Sequence, residues 1–270
     1  MATEVLSGQL GETRRASTAD GGTALTTTAV FIQLPTNTQH INLTPRNFVT
    51  AVVAKFLLNP WLIVLKTTDG MTGKPTDYSK AAQDGSTSTS VDVGSLGIVT
   101  SGDFLLVGSH IPFRGVSIDV DEANTVGTAT TTVSYWNGAS WLTTSATDAT
   151  NSTMTFAVDG TVTWTVPTGW HAARLIDLYP NHTLSYYSTP QLYWTRWEVS
   201  AALADTTITF NSMLAMNRST AYFELLSGQN HERTVSHGRI GGIGCIETLT
   251  NAGTGNVIVN VSTARDGEFV

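Results

Sequence analysis

Threonine constrains the fold of this chain more than any other residue type does. The 270 residues include 45 threonines but only four lysines. Threonine is branched at Cβ, so it is a weak helix former and is common in strands that have one face in water. Apolar residues make up a normal 41% of the chain, whereas charged residues make up only 13%, about half the usual share. The sequence therefore predicts a folded, mainly β protein.

Alternation of apolar and polar residues with a period of two supports this prediction. Val162, Trp164 and Val166 alternate with three threonines. The same alternation occurs in four other segments, at 116–120, 154–158, 207–210 and 257–261. Such a strand places one face in the core and the other in water. Strands about ten residues apart, joined by tight turns, predict an antiparallel β-sandwich or jelly-roll-like fold.

One short helix is predicted near residues 45–58. Thr44 is suited to the N-cap and Pro45 to the first helical position, and apolar residues follow at helical spacing until Asn59 and Pro60 end the run. The alternative is a buried strand, because the valines and threonines of this segment are weak helix formers.

Composition predicts four regions along the chain. Residues 1–28 are rich in Gly, Thr, Ala and Ser and predict an extended N-terminal arm that becomes ordered only on contact with something else. Residues 29–99 are predicted to form a β-rich region with the helix and a long polar loop. Residues 100–215 are predicted to form a β-sandwich module. Residues 216–270 predict C-terminal strands that either complete these sheets or belong to a smaller second unit.

Two β-hairpins are predicted from turn dipeptides. Asn137 and Gly138 separate aromatic strand ends, and Asp159 and Gly160 separate two alternating runs. Both dipeptides favour the positive φ angles that a two-residue type I′ turn requires.

Charge and hydropathy exclude two classes of partner. The net charge of -7 and the small number of lysines provide no basic surface for a phosphate backbone, so no nucleic-acid binding is expected. The longest apolar stretch, residues 48–65, is interrupted by Lys55 and by Asn59 and Pro60, so no membrane span is expected. The first residues have no apolar core of an export signal, which predicts folding in the cytoplasm of the producing cell.

Motifs for catalysis or for cofactors are not recognisable in the sequence. The lone Cys245 lies in an apolar stretch and is expected to be a buried, inert thiol. The six histidines do not have zinc-site spacing, and the acidic run 119–124 lacks the glycine and the distal carboxylate of a calcium loop. The sequence therefore predicts no metal, no cofactor and no enzymatic activity.

The aromatic residues are the most suggestive feature for binding. Trp136 and Trp141 flank the predicted Asn137-Gly138 turn. The pair either packs across two strands, which we favour, or forms an exposed platform that contacts sugar rings or another protein. Trp136, Asn137, Gly138 and Trp141 are therefore the candidate interaction residues.

Five segments carry a resemblance to a known class of protein. They are Asp103 to Gly108, Pro112 to Val116, Tyr135 to Trp141, Gly160 to Pro167 and Leu192 to Trp197. Together they resemble β-sandwich modules in the structural proteins of tailed bacteriophages, which have a Trp-Asn-Gly hairpin followed by a Thr-Trp strand. The resemblance covers about 100 of the 270 residues.

The resemblance implies a structural protein of the virion, assembled in the host cytoplasm. A capsid decoration or cement protein is the leading expectation; it would form homo-oligomers and contact other virion proteins, such as the major capsid protein or neck and tail proteins. The alternative is a tail, neck or fibre-associated module that binds a carbohydrate or receptor, in which Trp136 and Trp141 would contact the glycan.

Overall fold

The computed structural model describes residues 13–15, 22–35, 38–94, 96–184, 186–203, 206–236 and 240–263, and for 13–15 it describes the backbone only. Within these residues the chain forms two compact units. One combines residues 1–61 with 219–270 and is called the discontinuous unit. The other comprises residues 62–218 and is called the inserted unit.

Strands dominate both units. Those of the discontinuous unit are β1 (Thr13–Arg15), β2 (Thr23–Leu25), β3 (Val30–Gln33), β4 (Thr38–Arg46), β5 (Val53–Pro60), β18 (Phe223–Leu226), β19 (His231–Thr234), β20 (Ile243–Thr250) and β21 (Gly255–Thr263). Those of the inserted unit are β6 (Ile63–Thr68), β7 (Thr76–Asp77), β8 (Val91–Asp92), β9 (Asp103–Ser109), β10 (Phe113–Glu122), β11 (Thr131–Trp136), β12 (Trp141–Thr143), β13 (Thr147–Asp148), β14 (Gly160–Thr163), β15 (Ala172–Arg174), β16 (Gln191–Val199) and β17 (Thr209–Asn217). The described helical segments are the 3₁₀ turns Ala81–Gln83 and Val99–Ser101 and the one-turn helix α1 (Leu175–Leu178).

The discontinuous unit is built from two antiparallel sheets. One has the order β1–β21–β4–β19, with β2 also paired to β21, and the other has the order β18–β5–β20–β3. Alternate side chains of both sheets form one core, which includes Leu25, Leu43, Phe56, Ile246 and Val259. All five are at most 1% exposed.

The inserted unit is also a two-layer sandwich. Its five-stranded sheet has the order β13–β14–β10–β17–β8, and its seven-stranded sheet has the order β12–β11–β16–β9–β6–β7, with β15 also paired to β16. Val107 and Trp197 of the larger sheet share a core with Val116, Val162 and Phe210 of the smaller one. The predicted mainly β, antiparallel sandwich class is confirmed.

The outer face of the seven-stranded sheet is also apolar in its centre. Leu106 and Trp194 point away from the sandwich core, yet both are 0% exposed. The chain from β15 to α1 covers them: the indole N–H of Trp194 donates to the backbone oxygen of Ala173 at 3.0 Å, and the ring of Tyr179 contacts Phe104. This sheet is therefore buried on both faces near its middle.

The prediction of a helix at residues 45–58 is wrong. Its first residues belong to β4 and its last to β5, with a turn between them where Asn47 and Ala51 have positive φ angles. β5 is buried on both faces, since Phe56 and Leu57 are consecutive and both at most 5% exposed. Apolar residues on both faces of a strand imitate helical spacing, because period-two alternation is then lost.

The second predicted hairpin, at residues 158–162, is also wrong. Residues 154–158 form turns instead of a strand. Phe156 has a φ of 62°, which an extended strand does not allow, and its ring is buried against Phe210 at a centroid distance of 5.0 Å. Gly160 is needed for space, since a Cβ there would lie 2.4 Å from the backbone oxygen of Ala149.

The predicted N-terminal arm falls partly outside the described residues, which omit 1–12 and 16–21. The described parts, β1 and β2, pair with β21 of the same chain. Leu25 of β2 is fully buried in the core of the discontinuous unit. This end of the arm is therefore paired with a strand of its own chain, and ordering of the arm by a partner stays a prediction.

Candidate functional site

The candidate residues lie together at the end of the hairpin formed by β11 and β12. Trp136 and Trp141 are directly opposite each other in the antiparallel pair. Four residues join the strands rather than the predicted two, and of Asn137 and Gly138 only the glycine has a positive φ, of 96°. The prediction of a hairpin is therefore confirmed, but the prediction that its turn is a two-residue type I′ turn is wrong.

Asn137 organises this four-residue loop through its side chain. Its amide oxygen accepts hydrogen bonds from the backbone N–H of Ala139 at 2.9 Å and of Ser140 at 2.7 Å. The backbone N–H of Asn137 donates to the backbone oxygen of Ser140 at 3.1 Å. An Asn side chain that bonds to the backbone two residues later stabilises a turn without a second left-handed residue, which explains the longer loop.

The two indoles form an edge-to-face pair. Their ring centroids are 5.6 Å apart with an interplanar angle of 62°. Both side chains are half-buried. Such a pair contributes about 0.5–1.5 kcal/mol beyond the burial of its area. This geometry matches the favoured interpretation, cross-strand packing, and it leaves part of each ring in contact with solvent.

Arg196 of β16 extends this cluster across the sheet. Its guanidinium carbon lies 5.1 Å from the ring centroid of Trp141 and 5.8 Å from that of Phe104. A guanidinium nitrogen lies 3.6 Å from a carboxylate oxygen of Glu198, and both side chains are less than a fifth exposed. Arg196 is therefore a cation held between two aromatic rings and beside one carboxylate, an arrangement that restricts its orientation.

Tyr179 lies against the other side of this cluster. Its ring centroid is 5.7 Å from that of Phe104. Burial raises the pKa of the Tyr179 phenol from 10 to about 12, although the nearby charge of Arg196 opposes the shift. The phenol is therefore neutral at physiological pH and does not act as a base.

His171 lies beside the hairpin loop. Its backbone N–H donates to the backbone oxygen of Trp136 at 2.9 Å, and a Cβ on Gly138 would lie 3.3 Å from its imidazole ring. Gly138 and the imidazole are both exposed. The tip of the hairpin therefore presents aromatic edges and one histidine to solvent.

This site is suited to contact with another surface. The four predicted residues are brought together in one hairpin, and a binding role for them stays a prediction. Arg196, Glu198 and Tyr179 were not assigned a role from the sequence. Period-two spacing could have indicated that Arg196 and Glu198 share a face of β16, but the position of Tyr179 depends on the chain returning over the sheet.

The other residues considered for chemistry lie elsewhere. Cys245 of β20 is completely buried, as predicted, and burial raises the pKa of its thiol from 9 to about 12. Asp119 and Asp121 lie near the end of β10, which is where a solvated strand end was expected. Within the part of the chain that the structure describes, there is no group of three or more His, Cys, Asp or Glu side chains positioned to hold a metal ion.

Comparison with known proteins identifies no relative: no family model, curated protein or solved structure matches the chain. None of the helical segments in the described part of the chain has the length and apolar character that a membrane crossing requires.

Proposed function

We propose that this protein is a structural component of a tailed-phage virion, of the capsid decoration or cement type. In this function its β-sandwich units form stable surfaces that bind other virion proteins and other copies of the same chain. The protein would act by adhesion in the assembled particle and not by catalysis.

The observation that carries this proposal is where the five resembling segments lie in the structure. They map to β9, β10, the β11–β12 hairpin, β14 and β16. All of these strands belong to the inserted unit, and they include the central strands of both of its sheets. The motifs therefore all lie within one sandwich instead of being scattered over unrelated parts of the chain.

The N-terminal strands offer one route by which copies of the chain would associate. β1 and β2 both lie along the edge of β21 that β4 leaves open, at residues 260–262 and 255–257. An added edge strand provides main-chain hydrogen bonds and can come from the same chain or from another copy. Exchange of β1 and β2 between copies would give the homo-oligomer that this function includes.

Quantitative mass spectrometry of purified virions that encode this chain tests the proposal. We expect hundreds of copies per particle for a decoration protein. A dozen or fewer copies would move the protein to the neck or tail, and its complete absence from purified particles would contradict a virion role. Light scattering of the isolated protein would show the expected oligomer.

A second candidate is a carbohydrate or receptor-binding module, which the half-exposed Trp136 and Trp141 favour. Glycan-array binding that is lost in Trp136→Ala and in Trp141→Ala would support it. Leu142→Ala is the matched control, because Leu142 is an exposed apolar residue of the same short strand whose side chain alternates to the other face. No glycan binding at millimolar concentration would exclude this candidate.

A further inference from the structure

A polar cavity lies in the inserted unit, separate from the tryptophan hairpin. It has a volume of about 200 Å³. At about 30 Å³ per water molecule, it has room for six or seven waters, which is the space of a small polar ligand. The groups that matter for its chemistry are Lys66, Asp69, Lys74, Thr76, Tyr78 and Asp92.

Lys66 is the unusual residue of this cavity. It lies two residues after Val64 in β6, on the same face of the strand. The alternation of apolar and polar residues predicts an apolar side chain at this position. Its side chain is only 10% exposed. Its ammonium group donates to the backbone oxygen of Gly94 at 3.0 Å and lies 3.7 Å from a carboxylate oxygen of Asp92. A buried lysine needs such partners, and two partners leave one of its three N–H groups for the cavity.

The carboxylates of the cavity are held in place by hydrogen bonds from nearby residues of the chain. One oxygen of Asp92 accepts the backbone N–H of Gly94 at 2.8 Å, and one oxygen of Asp69 accepts the Thr67 hydroxyl at 2.7 Å. The hydrogen bond from Thr67 also lowers the pKa of Asp69, so this carboxyl group is ionised at neutral pH. Both aspartates are therefore fixed as acceptors before any ligand enters.

The charges of the lining side chains cancel. Two of the four lysines of the chain line the cavity, together with two aspartates. A free anion or cation gains little from such a balanced site, and an apolar ligand would leave these polar groups without partners. A hydroxyl group both donates and accepts, so adjacent hydroxyls can bond to an ammonium and to a carboxylate at once.

We infer that this cavity binds a neutral polyhydroxylated ligand, and specifically one pyranose ring of a glycan. Lys66 and Lys74 donate to ring hydroxyls, Asp92 and Thr76 accept from them, and Tyr78 is the aromatic residue of the lining. This site does not depend on the proposed virion function, since binding to the isolated protein is measured whatever the particle contains.

Saturation-transfer NMR on the full-length protein tests the inference with the methyl pyranosides of glucose, galactose, mannose and N-acetylglucosamine at millimolar concentration. We expect ring-proton signals from at least one of them. Asp92→Asn and Thr76→Val, both at exposed positions, should each weaken its binding by about tenfold, the effect of one lost hydrogen bond to a charged or polar group. Asp119→Asn, an exposed acidic residue of β10, is the control and should bind like the parent protein.

Three results would overturn the inference. One is the absence of signal from all four pyranosides. Another is binding that Trp136→Ala abolishes and Asp92→Asn does not change, which would place the sugar on the hairpin. The third is displacement of the pyranoside by inorganic phosphate, which would identify the cavity as an anion site. None of these outcomes would change the number of copies counted in virions. The sugar-binding inference and the proposed virion function can therefore fail independently of each other.

Discussion

Gly108 lies in the centre of the seven-stranded sheet, where its missing side chain makes room for an indole. It is directly opposite Trp194 in β16 and opposite Ile63 in β6. A Cβ on Gly108 would lie 2.6 Å from both Cε3 and Cζ3 of Trp194. Carbon atoms pack favourably at about 3.5–4.0 Å, so Gly108→Ala creates an overlap of about 1 Å.

Neither partner can move easily to relieve this overlap. The backbone of Gly108 is paired on both sides, and the indole N–H of Trp194 donates to Ala173 at 3.0 Å. Overpacking in a core costs about 1–3 kcal/mol, and a displaced indole would lose a hydrogen bond worth about 1 kcal/mol more. We therefore expect Gly108→Ala to lower the free energy of unfolding of the inserted unit by about 2–4 kcal/mol.

Urea denaturation followed by tryptophan fluorescence measures this loss, because six of the seven tryptophans belong to the inserted unit. Gly169→Ala is the matched control, since a Cβ at this exposed glycine meets nothing within 4 Å, and we expect no loss of stability. In a Trp194→Leu background the cost of Gly108→Ala should fall below about 1 kcal/mol. Equal effects of the two alanine substitutions, or an undiminished cost in that background, would refute the reasoning.

Three further predictions follow from the structure. The thiol of Cys245 should react with iodoacetamide at pH 8 only after unfolding in urea, because it is buried and its pKa is raised to about 12; fast labelling of the folded protein would contradict this. Tyr179 and Tyr187 each have a pKa raised from 10 to about 12, chiefly by burial, so the folded state holds their protons longer than the unfolded state. The stability they contribute is complete below pH 10 and is lost as the pH rises toward 12, which urea denaturation at stepwise pH and ultraviolet titration of the phenols should show. Residues 62–218 expressed alone should unfold cooperatively, because they contain both sheets and the core of one sandwich; a spectrum without dispersed NMR signals would contradict this.

Local pattern predicted the class of this fold and one of its hairpins. Alternation of threonine with Val162 and Trp164 identified a strand with one buried face, and Val162 is indeed completely buried. The aromatic residues on either side of Asn137 and Gly138 identified the β11–β12 hairpin. These predictions succeeded because a turn and a half-buried strand are determined by residues that are neighbours in the chain.

The errors arose where distant parts of the chain decide the conformation. The apolar spacing of residues 45–58 predicts a helix, but it arises because apolar residues cover both faces of the strand β5. The alternation at residues 154–158 predicts a strand, but Phe156 has a left-handed backbone conformation within a loop, and its ring is buried against Phe210. Neither arrangement has a local signal, since each depends on what packs against the segment in the folded protein.

The sequence by itself determined that the chain is mainly β, that Cys245 is buried and that Trp136 faces Trp141 across a turn. Only the tertiary structure decided that residues 62–218 form a separate sandwich, whose sequence lies between the two segments of the discontinuous unit. It also decided that Lys66 and Asp92, which are 26 positions apart in the sequence, line one cavity. The physical reason is that side-chain alternation records which face of a strand is buried, whereas the identity of the neighbouring strand depends on long-range pairing that no single segment encodes.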